Sequence, residues 1–381
     1  MMRQHWLIIL TALSTLALGT TGCIKPEAPN AEADIISCQI DQSLLFRATT
    51  ITNDEVIITL NGRADRTQLA PTFTLTEGAK ISPESGTTLD FSTPQIYTVT
   101  SEDGQWKKSY KVHAELPTFE EQPIWHFTFE GVSYHHESDP TVDLYPIIEE
   151  HKPNGELFFQ WQSGNHGIMF SQLFMGVKPS DIVYGVTQDA GKVGKSAKLV
   201  TMDAGSFAAG MGKPIAAGTI FMGIMDVGAM MGSKPLTATK FGIPFIQKPL
   251  YLTGYYKYKA GDKVIGSNGK AIAGAVDTFD IYAILFETTD KISHLNGTNS
   301  LTSPQLVSIA RIKKEDKKET SEWQHFELKF ESKEGKTIDE RKLKEGKYSL
   351  SIIATSSIDG ASFKGAIGST LWLDELQLTC E

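Results

Sequence analysis

From residue 35 onward the chain is written in short runs where apolar and polar side chains alternate, broken by turn residues. In Tyr97-Thr98-Val99-Thr100 and Tyr110-Lys111-Val112-His113 every second side chain is apolar, the period of a strand with one buried face. Asp103-Gly104 lies between these runs and favours the tight turn of a β-hairpin. Strands are predicted over 35–40, 55–60, 72–75, 88–91, 96–100 and 108–114. Six or seven such strands within 34–116 predict an Ig-like β-sandwich. A second series follows at 125–130, 157–161, 197–202, 218–225, 250–258, 279–287, 306–312, 323–330, 348–355 and 370–378, with few helical periods. These ten predict a larger jelly-roll β-sandwich over 124–381, so the fold class is all-β. Pro117 and Pro123 bound a linker at 117–123. Alternation also assigns faces: Tyr256 and Tyr258 share one, Tyr255 and Lys257 the other. At 323–330, Phe326, Leu328 and Phe330 are expected in the core, with Trp323 and His325 on the outer, polar face.

The N-terminus follows a different pattern. An apolar run from Trp6 to Leu18 comes after Arg3 and His5 and is too short to span a membrane, so it reads as a signal peptide. It ends in Thr20-Thr21-Gly22-Cys23 and resembles a lipoprotein signal, an ordinary secretory signal with an incidental cysteine being the alternative. The resemblance implies removal of 1–22, acylation of Cys23 and a lipidated flexible stem over 23–33. Each buried acyl methylene contributes about 0.8 kcal/mol of membrane affinity, so no spanning helix is needed. The expected location is the outer membrane, with exposure at the cell surface.

Composition narrows the partners. The 381 residues carry 36 Lys+Arg against 45 Asp+Glu, a net charge of −9, which argues against a nucleic-acid partner. With 40% hydrophobic and 21% charged residues the chain has material for a core and is not a disordered polyelectrolyte. Besides Cys23, Cys38 opens the first module and Cys380 closes the last, so two buried free thiols are expected rather than a bridge.

Two stretches carry family resemblances. ISPESGTTLDFSTPQIYTVTSEDGQWKKSYKV resembles the Ig-like modules at the front of many Bacteroidetes surface lipoproteins, which implies a spacer without a ligand of its own. WQSGNHG, AAGTIFMG, FGIPF, LTGYYKYKAGD and SSIDGASFKGAIGSTLWLDELQL, in that order from about Pro123 to Glu381, resemble the putative carbohydrate metabolism domain family of Bacteroidetes. This implies a jelly-roll fold similar to carbohydrate-binding modules and leaves activity to be argued from the site.

Several motifs are set aside. Gly194-Lys195-Ser196 looks like the end of a phosphate loop, but Asp189 stands where its first glycine belongs and a strand follows, so a hairpin turn is expected. His135, His136, Glu137 and Asp139 sit on an extended segment whose neighbours point to opposite faces, and read as a solvated loop. Met222, Met225, Met230 and Met231 read as adaptable packing rather than a copper site.

Glycan cleavage needs two carboxylates about 5–10 Å apart, one of them held protonated. Asp277, Asp280 and Asp374 lie in or beside apolar strands, where burial raises a carboxyl pKa, and Asp277 with Asp280 form the catalytic alternative. Glycan binding needs only aromatic faces that stack on sugar C–H groups, with amides or carboxylates nearby. Trp161 beside 163–166, Asn165 within that segment, Tyr256, Tyr258 and Trp323 are the binding candidates, against core packing for each ring. Carbohydrate-binding jelly rolls often join an FE near the first strand to an Asp in the closing strand through a structural calcium. The resemblance places that ion at Glu130, in Phe129-Glu130, and Asp374. The competing reading has Glu130 in solvent and Asp374 bonded to backbone amides.

Three functions are compatible with these residues. The expectation is a lipoprotein that binds polysaccharide or another glycan through its C-terminal jelly roll. The alternatives are a glycoside hydrolase and a structural or adhesive subunit, and the sequence names no outer-membrane protein partner.

Overall fold

Alternation builds the first module as expected. In the computed structural model, which describes residues 29–41, 44–45, 49–60, 65–115, 122–135, 142–226, 229, 235–289 and 292–381, this module pairs two sheets. One has the order Thr50–Ile51, Glu55–Thr59, Lys107–Glu115, Gln95–Thr100, Lys80–Ser82; the other joins Ile35–Gln39 to Thr72–Leu75. Glu55–Thr59 and Lys107–Glu115 run parallel. Val56, Ile58, Tyr97, Val99, Tyr110 and Val112, the apolar parity of their strands, form the core. Gly104 supplies the left-handed residue of the predicted hairpin turn at φ +71°. The predicted strand 88–91 is reduced to one bridge from Leu89 to Leu69, and Lys80–Ser82 lines the sheet edge instead.

The second module is a sandwich of two larger sheets. The first runs Val186–Ala190, Lys195–Val200, Thr370–Cys380, Pro249–Lys259, Thr320–Lys329, with Ile124–Phe127 on the far half of Thr370–Cys380. The second runs Gln162–Ser163, Thr219–Phe221, Tyr348–Thr355, Asp280–Glu287, Leu306–Arg311, Glu331–Ser332, with Ile243–Phe245 also on Tyr348–Thr355. Leu252, Tyr256 and Tyr258 from one sheet meet Ile281, Ala283, Leu350 and Ile352 from the other in a common core. A third sheet joins Leu157–Gln160, Pro146–His151 and Gly131–Tyr134. The polar turn read at 163–166 is the start of a helix, Asn165–Phe174, because Ile168 and Met169 bury themselves against Leu144 and Ile182. Cys38 and Cys380 are free and buried in separate cores, and burial pushes both thiols up to about 12.

An irregularity in Thr370–Cys380 shapes the outer face of the first sheet. In Thr370–Cys380, Leu371 and Leu373 are buried, but so are Leu376, Leu378 and Cys380, which requires an inserted residue between the two sets. Thr253 pairs with Gln377 and Tyr255 with Asp374, so a step of two on one strand matches a step of three on the other. That is a β-bulge. Glu375 sits in it at φ +53°, a left-handed backbone uncommon outside glycine. Gly254 lies under the bulge, and a Cβ there would come within 2.5 Å of Leu376 Cδ2.

Candidate functional site

Most of the binding candidates belong to the core. Trp161 is 3% exposed and packs against Phe127, Phe129 and Phe159 with ring centres 5.3–5.4 Å apart. Its Nε1 donates to Glu150 Oε1 at 2.9 Å. The same carboxylate takes the backbone N–H groups of Thr128 and Phe129, and burial is the main influence on it, pushing its pKa up. Asn165 is buried, with its amide donating to the carbonyls of Pro146 and Val186 and accepting from Val186 N–H. Tyr256 and Tyr258 both pack on Phe279, and their hydroxyls donate to the carbonyls of Asp316 and Ser356. None of these four presents a free ring face or amide to a sugar, which corrects the expectation for Trp161, Asn165, Tyr256 and Tyr258. Trp323 alone stands on the outer face, as alternation assigns it.

The carboxylates are likewise engaged. Asp277 Oδ2 accepts from Ser357 Oγ (2.5 Å), Ala366 N–H (2.7 Å) and Ser369 Oγ (2.8 Å), which gathers the connection between Tyr348–Thr355 and Thr370–Cys380 around it. Asp280 sits between Arg311 and Lys317 at 2.7 and 2.9 Å. A cleft of about 1070 Å³ opens beside Asp277 and Arg311. Both aspartates face donors that hold the fold, so their geometry does not form an acid pair.

Glu130 and Asp374 do converge, but on a turn. Asp374 Oδ2 accepts the backbone N–H groups of Lys192 and Val193 at 2.6 and 3.0 Å, its Oδ1 accepts Glu375 N–H, and Glu130 Oε1 accepts Lys195 N–H at 2.9 Å. Burial pushes the Asp374 carboxyl pKa up, against these hydrogen bonds. Calcium requires a shell of oxygens, and here N–H donors point at the carboxylates. The residues fit a hairpin clamp rather than a cation cage. Gly194, at φ +50° beside Glu130, confirms the hairpin turn expected there. Of the histidine cluster, His135 stacks on Tyr145 and the other three residues lie outside the described residues, as do Cys23, Met230 and Met231.

The outer face of the first sheet offers a row of alternating cations and rings. Lys198 pairs opposite Trp372, and Trp372 opposite Lys257. Lys257 Nζ lies 4.5 Å from the Trp323 ring centre and 5.4 Å from that of Trp372, with Lys198 Nζ 5.8 Å from Trp372. Asp189 clamps the edge of Trp372, accepting its Nε1–H at 3.0 Å while pairing with Lys198 at 3.0 Å. The indole N–H, then Lys198, bring the Asp189 carboxyl down to about 2. Farther along, Tyr255 meets His325 with ring centres 5.2 Å apart, and Lys192 Nζ lies 4.2 Å from the Tyr255 ring. Beside Trp372 is a depression of about 590 Å³, lined also by Lys257, Lys259, Glu319, Thr320 and Ser321, with the buried Tyr258 at its floor. Trp372, Tyr255, Lys257 and Lys198 are the residues that sequence reasoning missed here. The polar parity of 249–259, with Thr253, Lys257 and Lys259 on the side of Tyr255, was the available signal for two of them.

The comparisons agree with a carbohydrate-related protein. The profile described as SGBP, N-terminal matches residues 35–114. A crystal structure described as a putative glycoside hydrolase from Bacteroides thetaiotaomicron is 46% identical, covers 93% of this chain and 98% of its own, and superposes with a TM-score of 0.68. Another so described, from Bacteroides vulgatus, is 37% identical over 67% of this chain and 98% of its own, with a TM-score of 0.59. No curated protein matches the chain. With residues 128–379 matching its profile, the chain belongs to the putative carbohydrate metabolism domain family.

Proposed function

We propose that this protein is a cell-envelope lipoprotein, acylated at Cys23, that binds glycan on the outer face of its C-terminal sandwich. The observation that carries the reading is the pair of indoles, Trp323 and Trp372, held half-buried on an outward sheet face with Lys257 between them, Trp372 lining a depression of about 590 Å³. An indole in that position presents an apolar plane to sugar C–H groups, and Thr320, Ser321 and Glu319 bring polar groups beside it. The family description and the relatives named as glycoside hydrolases support carbohydrate as the ligand class. The Ig-like module serves as a spacer above the membrane.

Affinity electrophoresis against a polysaccharide panel tests the binding. Trp323→Ala and Trp372→Ala should each weaken retention by roughly 1–3 kcal/mol, the range for a large apolar side chain taken out of contact. Retention unchanged in both variants removes this face from the proposal. A reducing-sugar assay on the same panel separates binding from cleavage, since new ends appear only with turnover. Silence in both assays favours a structural subunit. For the anchor, Cys23→Ala should move the protein from membrane to soluble fractions, and a variant that stays acylated refutes that part.

A further inference from the structure

We infer that the glycan taken by this face is anionic, with carboxylate or sulfate groups carried beside its sugar rings; the inference rests on the binding reading above. The chain as a whole is acidic, with a net charge of −9, yet Lys192, Lys198, Lys257 and Lys259 gather on this face. Asp189 and Glu319 offset only part of that charge. Asp189 is spent on Lys198 and the Trp372 edge, and Glu319 accepts the backbone N–H of Ala260 at 3.1 Å. Among the described residues Lys192 and Lys257 make no ion pair, and their ammonium groups rest on aromatic faces instead.

That resting place is the key to selectivity. Lys257 lies over Trp323 and Trp372, the same faces a sugar needs for stacking. A neutral sugar has to push the ammonium off the ring and offers it only hydroxyl acceptors, with no counter-charge. An anionic sugar draws the ammonium into a charge-assisted hydrogen bond, stronger than an exposed cation–π contact, and stacks on the ring it leaves. One movement of Lys257 therefore exposes the platform and neutralises the ligand. The row Lys198, Trp372, Lys257, Trp323 crosses four neighbouring strands, three spacings or about 14 Å, which suits an oligosaccharide better than a single ring.

The test compares matched polymers by affinity electrophoresis with the full chain: polygalacturonate against its carboxyl-reduced form, and dextran sulfate against dextran. The expected result is retention by one charged member, about tenfold weaker by its neutral counterpart. That retention should be reduced by about 0.5 M NaCl. Lys257→Met should abolish the preference, Lys257→Arg should keep it, and Trp372→Ala should weaken retention of the charged polymer itself. The carboxylate and sulfate arms tell which group is read. Equal retention of charged and neutral members overturns the inference while leaving glycan binding standing. Charged-polymer retention that survives Trp323→Ala with Trp372→Ala also overturns it, because the cations then act without the rings. No retention of any polymer overturns the binding reading and the inference together.

Discussion

Asp280 offers the sharpest test of whether the buried carboxylates serve the fold or chemistry. It is 3% exposed and carries two cations on unequal terms. The Arg311 side chain is 37% exposed, so water screens that arm, whereas Lys317 is 5% exposed at 2.9 Å from Oδ1. Burial pushes the Lys317 ammonium pKa down, and Asp280 pulls it back up. Asp280→Asn keeps the shape but leaves Lys317 a buried cation without a counter-ion, a change that costs roughly 3–5 kcal/mol. At about 2–4 °C per kcal/mol for a domain of this size, the C-terminal transition should fall by roughly 6–20 °C in calorimetry at pH 7. The pH dependence has a definite sign. A lysine with a folded pKa below its unfolded value favours the neutral form in the native state, so stability rises as pH climbs from the folded towards the unfolded pKa. Losing Asp280 lowers the folded pKa further, and the variant should therefore recover more than the wild type between pH 7 and pH 10. Adding Lys317→Met should restore most of the loss, since the orphan charge is gone. A loss below about 1 kcal/mol, or no recovery in the double variant, refutes the buried-ion argument.

Other residues separate structure from function in the same way. Trp161→Ala should cost roughly 3–5 kcal/mol in denaturant unfolding, from the emptied site and the loss of a donor to Glu150, and leave glycan retention intact below the midpoint; an unchanged midpoint with lost retention would return Trp161 to the binding face. Asp374→Asn should lower stability by roughly 1–3 kcal/mol, since its amide turns a donor or loses an acceptor at the N–H groups of Lys192 and Val193. The wild-type melting temperature should ignore both calcium and chelator, and a rise with calcium would revive the cation site. Cys38 and Cys380, with thiols pushed up to about 12, should resist a thiol reagent at pH 8 until the chain unfolds, and rapid native labelling of either contradicts their burial.

The fold was legible because each long strand declares its inner face. Leu252, Tyr256 and Tyr258 fall on one parity of 249–259 and Phe326 and Leu328 on one parity of 320–329, and all are buried. Edge strands and capping elements were not legible. Gly131–Tyr134 and Val186–Ala190 are short and mixed in character, and helix Asn165–Phe174 begins in a Ser-Gly-Asn run that reads as a turn. Asn165 shows the cost of reading polarity as exposure. Its amide is polar because three backbone groups around it need partners, not because water or sugar reaches it.

The site itself lies beside a place where alternation breaks. Counting back from Cys380, Leu378 and Leu376 by twos puts Asp374 and Trp372 in the core, whereas counting on from Leu371 and Leu373 puts Trp372 outside, and only the structure locates the change of step between them. The bulge at Glu375 supplies that change and sends Trp372 outward between Lys198 and Lys257. Asp374 fixes the bulge by accepting Glu375 N–H on one oxygen and the turn amides of Lys192 and Val193 on the other. Asp189, on the strand that leads into that turn, then fixes the indole edge. Two aspartates and one hairpin thus hold Trp372 as a surface platform. Bulges concentrate where a side chain has to be re-aimed, and this one lets Leu371 and Leu373 enter the core together with Leu376 and Leu378 while Trp372 stays on the outer face. Its orientation is what a ligand that stacks on rings requires.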